Sequence, residues 1–215
     1  MQDVTRYAGD PVGFMREVLG LDPWSKQCEI LEAIRDHSHV TVRACHGVGK
    51  TFVAAGAALW RLHCFSPSIV LTTAPTHRQV KELLWREMRK MQRRARIELA
   101  GDVRETAIKV SEDTYALGLS TDESDRFQGF HSPHLFIVVD EASGVPEVIF
   151  DAIDGCMTSM GSKLLQIGNP LRPSGRFYDS FRQQGWHCIH LSALMSPNVE
   201  AGEVVRPELV EPAWV

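Results

Sequence analysis

Val40-Thr41-Val42-Arg43-Ala44-Cys45-His46-Gly47-Val48-Gly49-Lys50-Thr51 reads as a β-branched strand, a glycine-containing turn, and a Lys-Thr pair opening a helix. This is the layout of a loop that wraps a polyphosphate. Backbone N–H groups of such a turn point inward and make a concave anion site. The first helical turn adds unpaired donors and the positive end of its dipole. Lys50 has the reach for β- and γ-phosphates, and the Thr51 hydroxyl suits Mg²⁺. The usual pattern opens with Gly where this chain has Ala44. Ala carries the smallest Cβ-bearing side chain and suits a strand end.

A second segment completes the chemistry. Leu135-Phe136-Ile137-Val138-Val139-Asp140-Glu141 is an apolar run ending in two carboxylates. Such a run suits a parallel strand buried on both faces. Acids at its carboxyl end lie where open α/β sheets bind ligands. Asp140 is expected to hold Mg²⁺, and Glu141 to orient or deprotonate the water that attacks the γ-phosphate. Hydrolysis needs that division: one acid neutralised by metal, one free to act on water.

Composition bounds the rest. With 215 residues, 44% hydrophobic and 23% charged, the chain suffices for one α/β domain plus an extension. A net charge of −4 excludes a polycation, so any nucleic-acid contact needs a local basic patch. Five cysteines without a Cys-x-x-Cys pair, and nine scattered histidines, suggest no zinc site. No apolar run is long enough to span a bilayer, and the opening residues lack a leader pattern. Reduced thiols in a cytosolic compartment are expected.

Strand-like and helix-like segments alternate. Helices are expected over residues 11–19, 25–35, 50–62, from the Ala74-Pro75-Thr76 turn to about 96, and near 146–156. Strands are expected over 40–43, 68–73, 135–140, 163–167 and 187–191, with a hairpin over 107–110 and 114–119. The pattern predicts an α/β fold with a mostly parallel sheet covered on both faces. Residues 1–36 read as an N-terminal helical segment on the adenine side, 37–193 as the core, and 194–215 as a linker towards a further domain.

Smaller features fit a nucleotide hydrolase. Gln27, in Asp22-Pro23-Trp24-Ser25-Lys26-Gln27, has the donors and acceptor to read an adenine edge, with Trp24 packed near the base. The same residues also read as a helix start with Trp24 in the core. Asn169, in Gly168-Asn169-Pro170, would lie near the γ-phosphate and sense it, although Gly-Asn-Pro is turn chemistry in any setting. On the long helix, Arg86, Lys90, Arg93 and Arg94 fall on one side, with Leu84, Met88, Met91 and Ala95 on the other. The basic side suits either DNA phosphates or solvent.

Pro-Trp-Ser-Lys-Gln, Cys-His-Gly-Val-Gly-Lys-Thr, Thr-Ala-Pro-Thr-His-Arg-Gln-Val, Gln-Gly-Phe-His, Val-Val-Asp-Glu-Ala and Gly-Asn-Pro follow one another in this order. Together they resemble the ATPase domain of a tailed-bacteriophage large terminase subunit, over residues 10 to 191. The resemblance implies a RecA-like P-loop NTPase fold of the ASCE type. It implies ATP- and Mg²⁺-dependent packaging of double-stranded DNA into a procapsid in the host cytoplasm. The implied partners are a homo-oligomeric ring, commonly a pentamer, the capsid portal and a small terminase subunit; a C-terminal nuclease domain is implied too. The resemblance places the phosphate loop at Ala44 to Thr51, the metal role at Asp140, the catalytic role at Glu141 and the coupling role at Asn169. Many terminases carry Arg in the loop where this chain has His46; Arg43 lies earlier, at the strand end. The arginine that the family supplies from a neighbouring subunit has Arg126 as its nearest candidate, since Gln128 precedes Gly129. Two other readings share these motifs: a helicase- or repair-type DNA-dependent ATPase, and a nucleotide-gated module that does not hydrolyse.

Overall fold

The computed structural model describes residues 3–121, 127 and 129–215. Arg126 and Gln128, the positions considered for the inter-subunit arginine, lie outside the described residues. Eight strands form one sheet in the order β3-β4-β5-β2-β6-β7-β1-β8. They are β1 His39–Ala44, β2 Ser68–Thr73, β3 Asp102–Val103, β4 Ala107–Lys109, β5 Thr114–Gly118, β6 His134–Asp140, β7 Lys163–Gly168 and β8 His187–Leu191. Every pairing from β5 through β8 is parallel. The β3–β4 and β4–β5 pairings are antiparallel, so the expected hairpin is β4–β5 at the edge of the parallel sheet.

Strand alternation sends successive side chains to opposite faces, and two cores follow from it. Val70, Phe136, Val138, Leu165 and Ile167 join one core, packed with helices Ser25–Asp36, Lys50–Cys64 and Trp85–Arg94. Ile69, Leu71, Leu135, Ile137, Val139 and Leu164 join the other, under helix Glu147–Cys156. Each fully buried Leu, Ile, Val or Phe contributes about 1.5–3 kcal/mol. Residues before 37 are not a separate body: Phe14, Met15, Val18, Ile30 and Leu31 share the first core with helix Lys50–Cys64.

Helix Lys50–Cys64 lies against the sheet because its inner positions are small: Ala54, Ala55, Ala57 and Ala58 are all fully buried. It stops at Phe65, whose backbone is extended, two residues before Pro67. The long helix expected after residue 76 runs unbroken from His77 to Arg94, capped by Thr76 and carrying a π-helical turn at Val80–Leu84 ahead of its α-helical part Trp85–Arg94. Among the described residues no helix is long and apolar enough to cross a membrane.

The tail expected as a linker is instead docked. Helix Pro197–Ala201 starts on a proline and ends at Gly202 in the left-handed region. Asn198 is fully buried. Its amide donates to the carbonyls of Arg206 (2.8 Å), Leu209 (3.3 Å) and Val210 (3.1 Å). Its oxygen accepts from the N–H groups of Val205 (2.9 Å) and Arg206 (2.7 Å).

Candidate active site

β1 delivers its last residue, Ala44, still in strand conformation and buried. A Cβ is therefore tolerated where the usual pattern has glycine. The loop then turns through Gly47 and Gly49, at φ +72° and +78°. Those values favour glycine, because a Cβ is strained in the left-handed region. Helix Lys50–Cys64 starts at Gly49, so its free N–H groups point at the loop.

β6 ends in Asp140, which is buried. Its Oδ2 accepts from the Thr51 hydroxyl at 3.3 Å, and its Oδ1 accepts from the Glu141 backbone N–H at 3.0 Å. Burial first, and the neighbouring Glu141 charge second, push the Asp140 carboxyl up to about 6. A divalent cation would reverse that cost, since it favours the ionised form. Glu141 follows at φ +48°, the only positive φ outside glycine among the described residues. Such a conformation costs about 1–3 kcal/mol and collects at functional sites.

β7 lies between these two strands and brings Gly168-Asn169-Pro170 to the same edge. A Cβ on Gly168 would sit 2.8 Å from the Ala142 nitrogen and 3.1 Å from the Glu141 Cα. Glycine is required there for β7 to approach the Glu141 turn. Asn169, buried, accepts from Lys50 Nζ at 2.9 Å through Oδ1 and donates to His46 Nε2 at 2.6 Å. Lys50 Nζ also donates to the Cys45 carbonyl (3.3 Å) and lies 3.6 Å from Glu141 Oε1. Lys50, Thr51, Asp140, Glu141, Asn169 and His46 thus form one connected cluster.

Beside it opens a cavity of about 610 Å³ lined by Gly49, Thr51, Phe52, Leu19, Leu21 and Gln27. Its far wall is the basic side of helix Trp85–Arg94, through Arg86, Lys90 and Arg94. These three residues line the cavity and remain solvent-exposed, as does Arg93 outside it, with Lys90 paired to Glu87 at 3.3 Å. The tail supplies Arg206, Glu208 and Leu209 to the same cavity. It is tied to the loop by the Val210 N–H, which donates to the Gly47 carbonyl at 2.8 Å.

Three expected site residues sit differently. Trp24 is buried beneath the loop, its indole donating to the Val48 carbonyl at 3.3 Å. It props the loop and does not line the cavity. Gln27 lines the cavity, but both ends of its amide are engaged: Oε1 accepts from the Trp24 N–H (3.1 Å), and Nε2 donates to the Gly49 carbonyl (3.3 Å). Arg43 points away from the loop, its guanidinium 5.5 Å above the Phe181 ring in a different recess. Val48 and Cys45 serve through their carbonyls.

The tail contacts carry a prediction. Asn198→Ala removes five hydrogen bonds at once, so residues 205–210 are expected to open locally. Backbone hydrogen exchange there should speed up by roughly 10- to 100-fold, the effect of about 1.4–2.8 kcal/mol. Unchanged protection at Val210 would show that the tail is held by something else.

No protein-family model matches the chain. A protein described as a probable terminase large subunit of Enterobacteria phage P7 is 25% identical over 228 aligned positions, covering 97% of this chain and 46% of the relative. The chain thus spans about half the length of that curated relative. Among solved structures, the large terminase ATPase domain of Thermus phage P74-26 superposes with a TM-score of 0.66 at 19% identity, covering 86% of each chain. A large terminase from a thermophilic bacteriophage, in complex with ADP, gives a TM-score of 0.63 at 18% identity, covering 77% of this chain and 44% of that one. The fold is that of the large-terminase ATPase domains, a RecA-like P-loop fold with a mostly parallel sheet.

Proposed function

We propose, on the premise of kinship with a terminase large subunit, that this chain is the ATPase module of a motor driving viral double-stranded DNA into a procapsid. The observation that supports it most is the convergence of Lys50, Glu141, Thr51 and Asp140 on one edge of the sheet, with Lys50 Nζ 3.6 Å from Glu141 and Thr51 3.3 Å from Asp140.

The triphosphate lies in the Ala44–Thr51 loop, against its backbone N–H groups and Lys50. The nucleoside occupies the cavity beside Gly49, with Leu19, Leu21, Phe52 and Leu209 as apolar walls. Thr51 and Asp140 would hold Mg²⁺. A buried carboxylate beside a hydroxyl is too small a set to cage the ion alone, which fits a cation that completes its shell with phosphate and water. When bound, the ion neutralises charge on the β- and γ-phosphates. Glu141 orients water for in-line attack and accepts its proton. Lys50 stabilises charge on the transferring phosphoryl group. Asn169 exchanges Lys50 for the γ-phosphate, and its release reports hydrolysis to β7.

In this reading the module works in a ring, commonly of five copies, on the portal in the host cytoplasm. A small terminase subunit joins it, and a nuclease domain follows the docked tail. Arg126 is the candidate for the arginine that crosses between neighbours. The test is phosphate release by the purified chain with and without duplex DNA. Turnover that rises with duplex supports the motor; nucleotide binding without any turnover in either condition favours the non-hydrolysing module. Strand separation would favour the helicase reading.

A further inference from the structure

Beyond the nucleotide cluster, the same edge of the sheet carries a second recess of about 250 Å³, lined by Arg43, Pro170, Arg172, Tyr178, Phe181 and Arg182 among others. The guanidinium of Arg43 lies over the Phe181 ring, 5.5 Å from its centre, and that of Arg182 over Tyr178 at 3.8 Å. A cation–π contact engages the face of a guanidinium and leaves its N–H donors free, in the fork that matches phosphate oxygens. None of the three arginines has an ion-pair partner among the described residues, although Asp179 lies in helix Arg176–Ser180, nearby in sequence to Arg182. Only Arg182 spends a donor internally, on the Tyr178 carbonyl at 3.3 Å.

The recess is also wired to the nucleotide site. Arg43 precedes the first loop residue, Ala44, and pairs in register with Gly168 of β7. Pro170 directly follows Asn169, the residue that holds Lys50. A load on the recess therefore bears on both the phosphate loop and Asn169.

We propose that this arginine recess grips the phosphate backbone of duplex DNA and conveys that contact to the nucleotide site. The choice of duplex as occupant rests on the motor reading above. Three unpaired cations on a chain of net charge −4 supply the local patch that sequence-independent backbone binding requires.

The test compares the wild-type chain with an R172A/R182A variant, neither position touching the nucleotide cluster. Duplex binding is followed by fluorescence anisotropy between about 50 and 200 mM salt. The variant should bind at least about tenfold more weakly, and its slope of log K against log salt should shrink by about 1.8. R172K/R182K should keep the slope, because the charges remain. Basal phosphate release should stay at the wild-type level while its stimulation by duplex is lost. If the R172A/R182A variant, shown folded by circular dichroism, keeps the wild-type affinity and slope, the proposal is overturned. An arginine-dependent preference for a polyglutamate peptide over duplex would overturn it in favour of an acidic protein partner. Absent basal turnover in the wild type would instead strike the ATPase reading, while the binding arms would still judge the recess.

Discussion

Glu141→Gln is expected to bind ATP and almost stop hydrolysing it. The substitution keeps the side-chain length and one carbonyl oxygen. It removes the negative charge and the basicity that a water-activating residue needs. Positioned general bases contribute about 10²–10⁴-fold, so turnover should fall within that range. Nucleotide affinity should hold or rise, because a carboxylate near the γ-phosphate is electrostatically unfavourable before attack. Glu141 is also the residue in the left-handed backbone region, a strained placement that the Gly168 approach sustains from behind. Single-turnover phosphate release, read beside binding of a fluorescent nucleotide, measures both. Turnover at the wild-type rate would remove Glu141 from the chemistry.

Lys50→Ala should act one step earlier, on binding itself. Lys50 is buried and is the cation that faces Glu141, Asn169 and the Cys45 carbonyl at once. Without it, a triphosphate would meet Asp140 and Glu141 with no side-chain cation in the loop. Losing two charge-assisted hydrogen bonds at about 1.5–3 kcal/mol each weakens ATP by at least about 100-fold. Thermal unfolding reads this directly. Nucleotide at about 100 times its Kd stabilises by about 2.7 kcal/mol. For a domain of this size that raises Tm by about 5–10 °C. Wild type should show that rise with Mg-ATP, and Lys50→Ala should show almost none at the same concentration. An equal rise in both would place the nucleotide elsewhere.

Much of this was legible in the sequence, for identifiable reasons. β6 announces itself as an unbroken apolar run, Leu135 to Val139, because both its faces are covered, and the buried β2 as a β-branched stretch around Ile69 to Leu71. The phosphate loop is legible because Gly47 and Gly49 are forced by backbone geometry, and the acid pair because charges rarely end a buried strand. What was hidden depended on direction. An aromatic beside the loop faces either the ligand or the underside, and Trp24 takes the underside. Strand parity did hold a signal for Arg43. It shares a face with Thr41, whose hydroxyl accepts from Ser180, so Arg43 is carried towards Phe181 and away from the loop. The tail has no hydrophobic period to read. Its docking rests on one asparagine capturing five backbone groups, a tertiary event without a local pattern. The π-helical turn at Val80–Leu84 and the two-residue strand β3 were similarly beneath the reach of periodicity.

The most direct test of the central claim is a crystal structure of the chain with Mg²⁺ and a non-hydrolysable ATP analogue. The triphosphate is expected in the Ala44–Thr51 loop, with Lys50 turned from Asn169 to the phosphates, the ion on Thr51 and Asp140, and Glu141 facing the γ-phosphate. A fully occupied analogue bound away from that loop, with Lys50 still on Asn169, would contradict it.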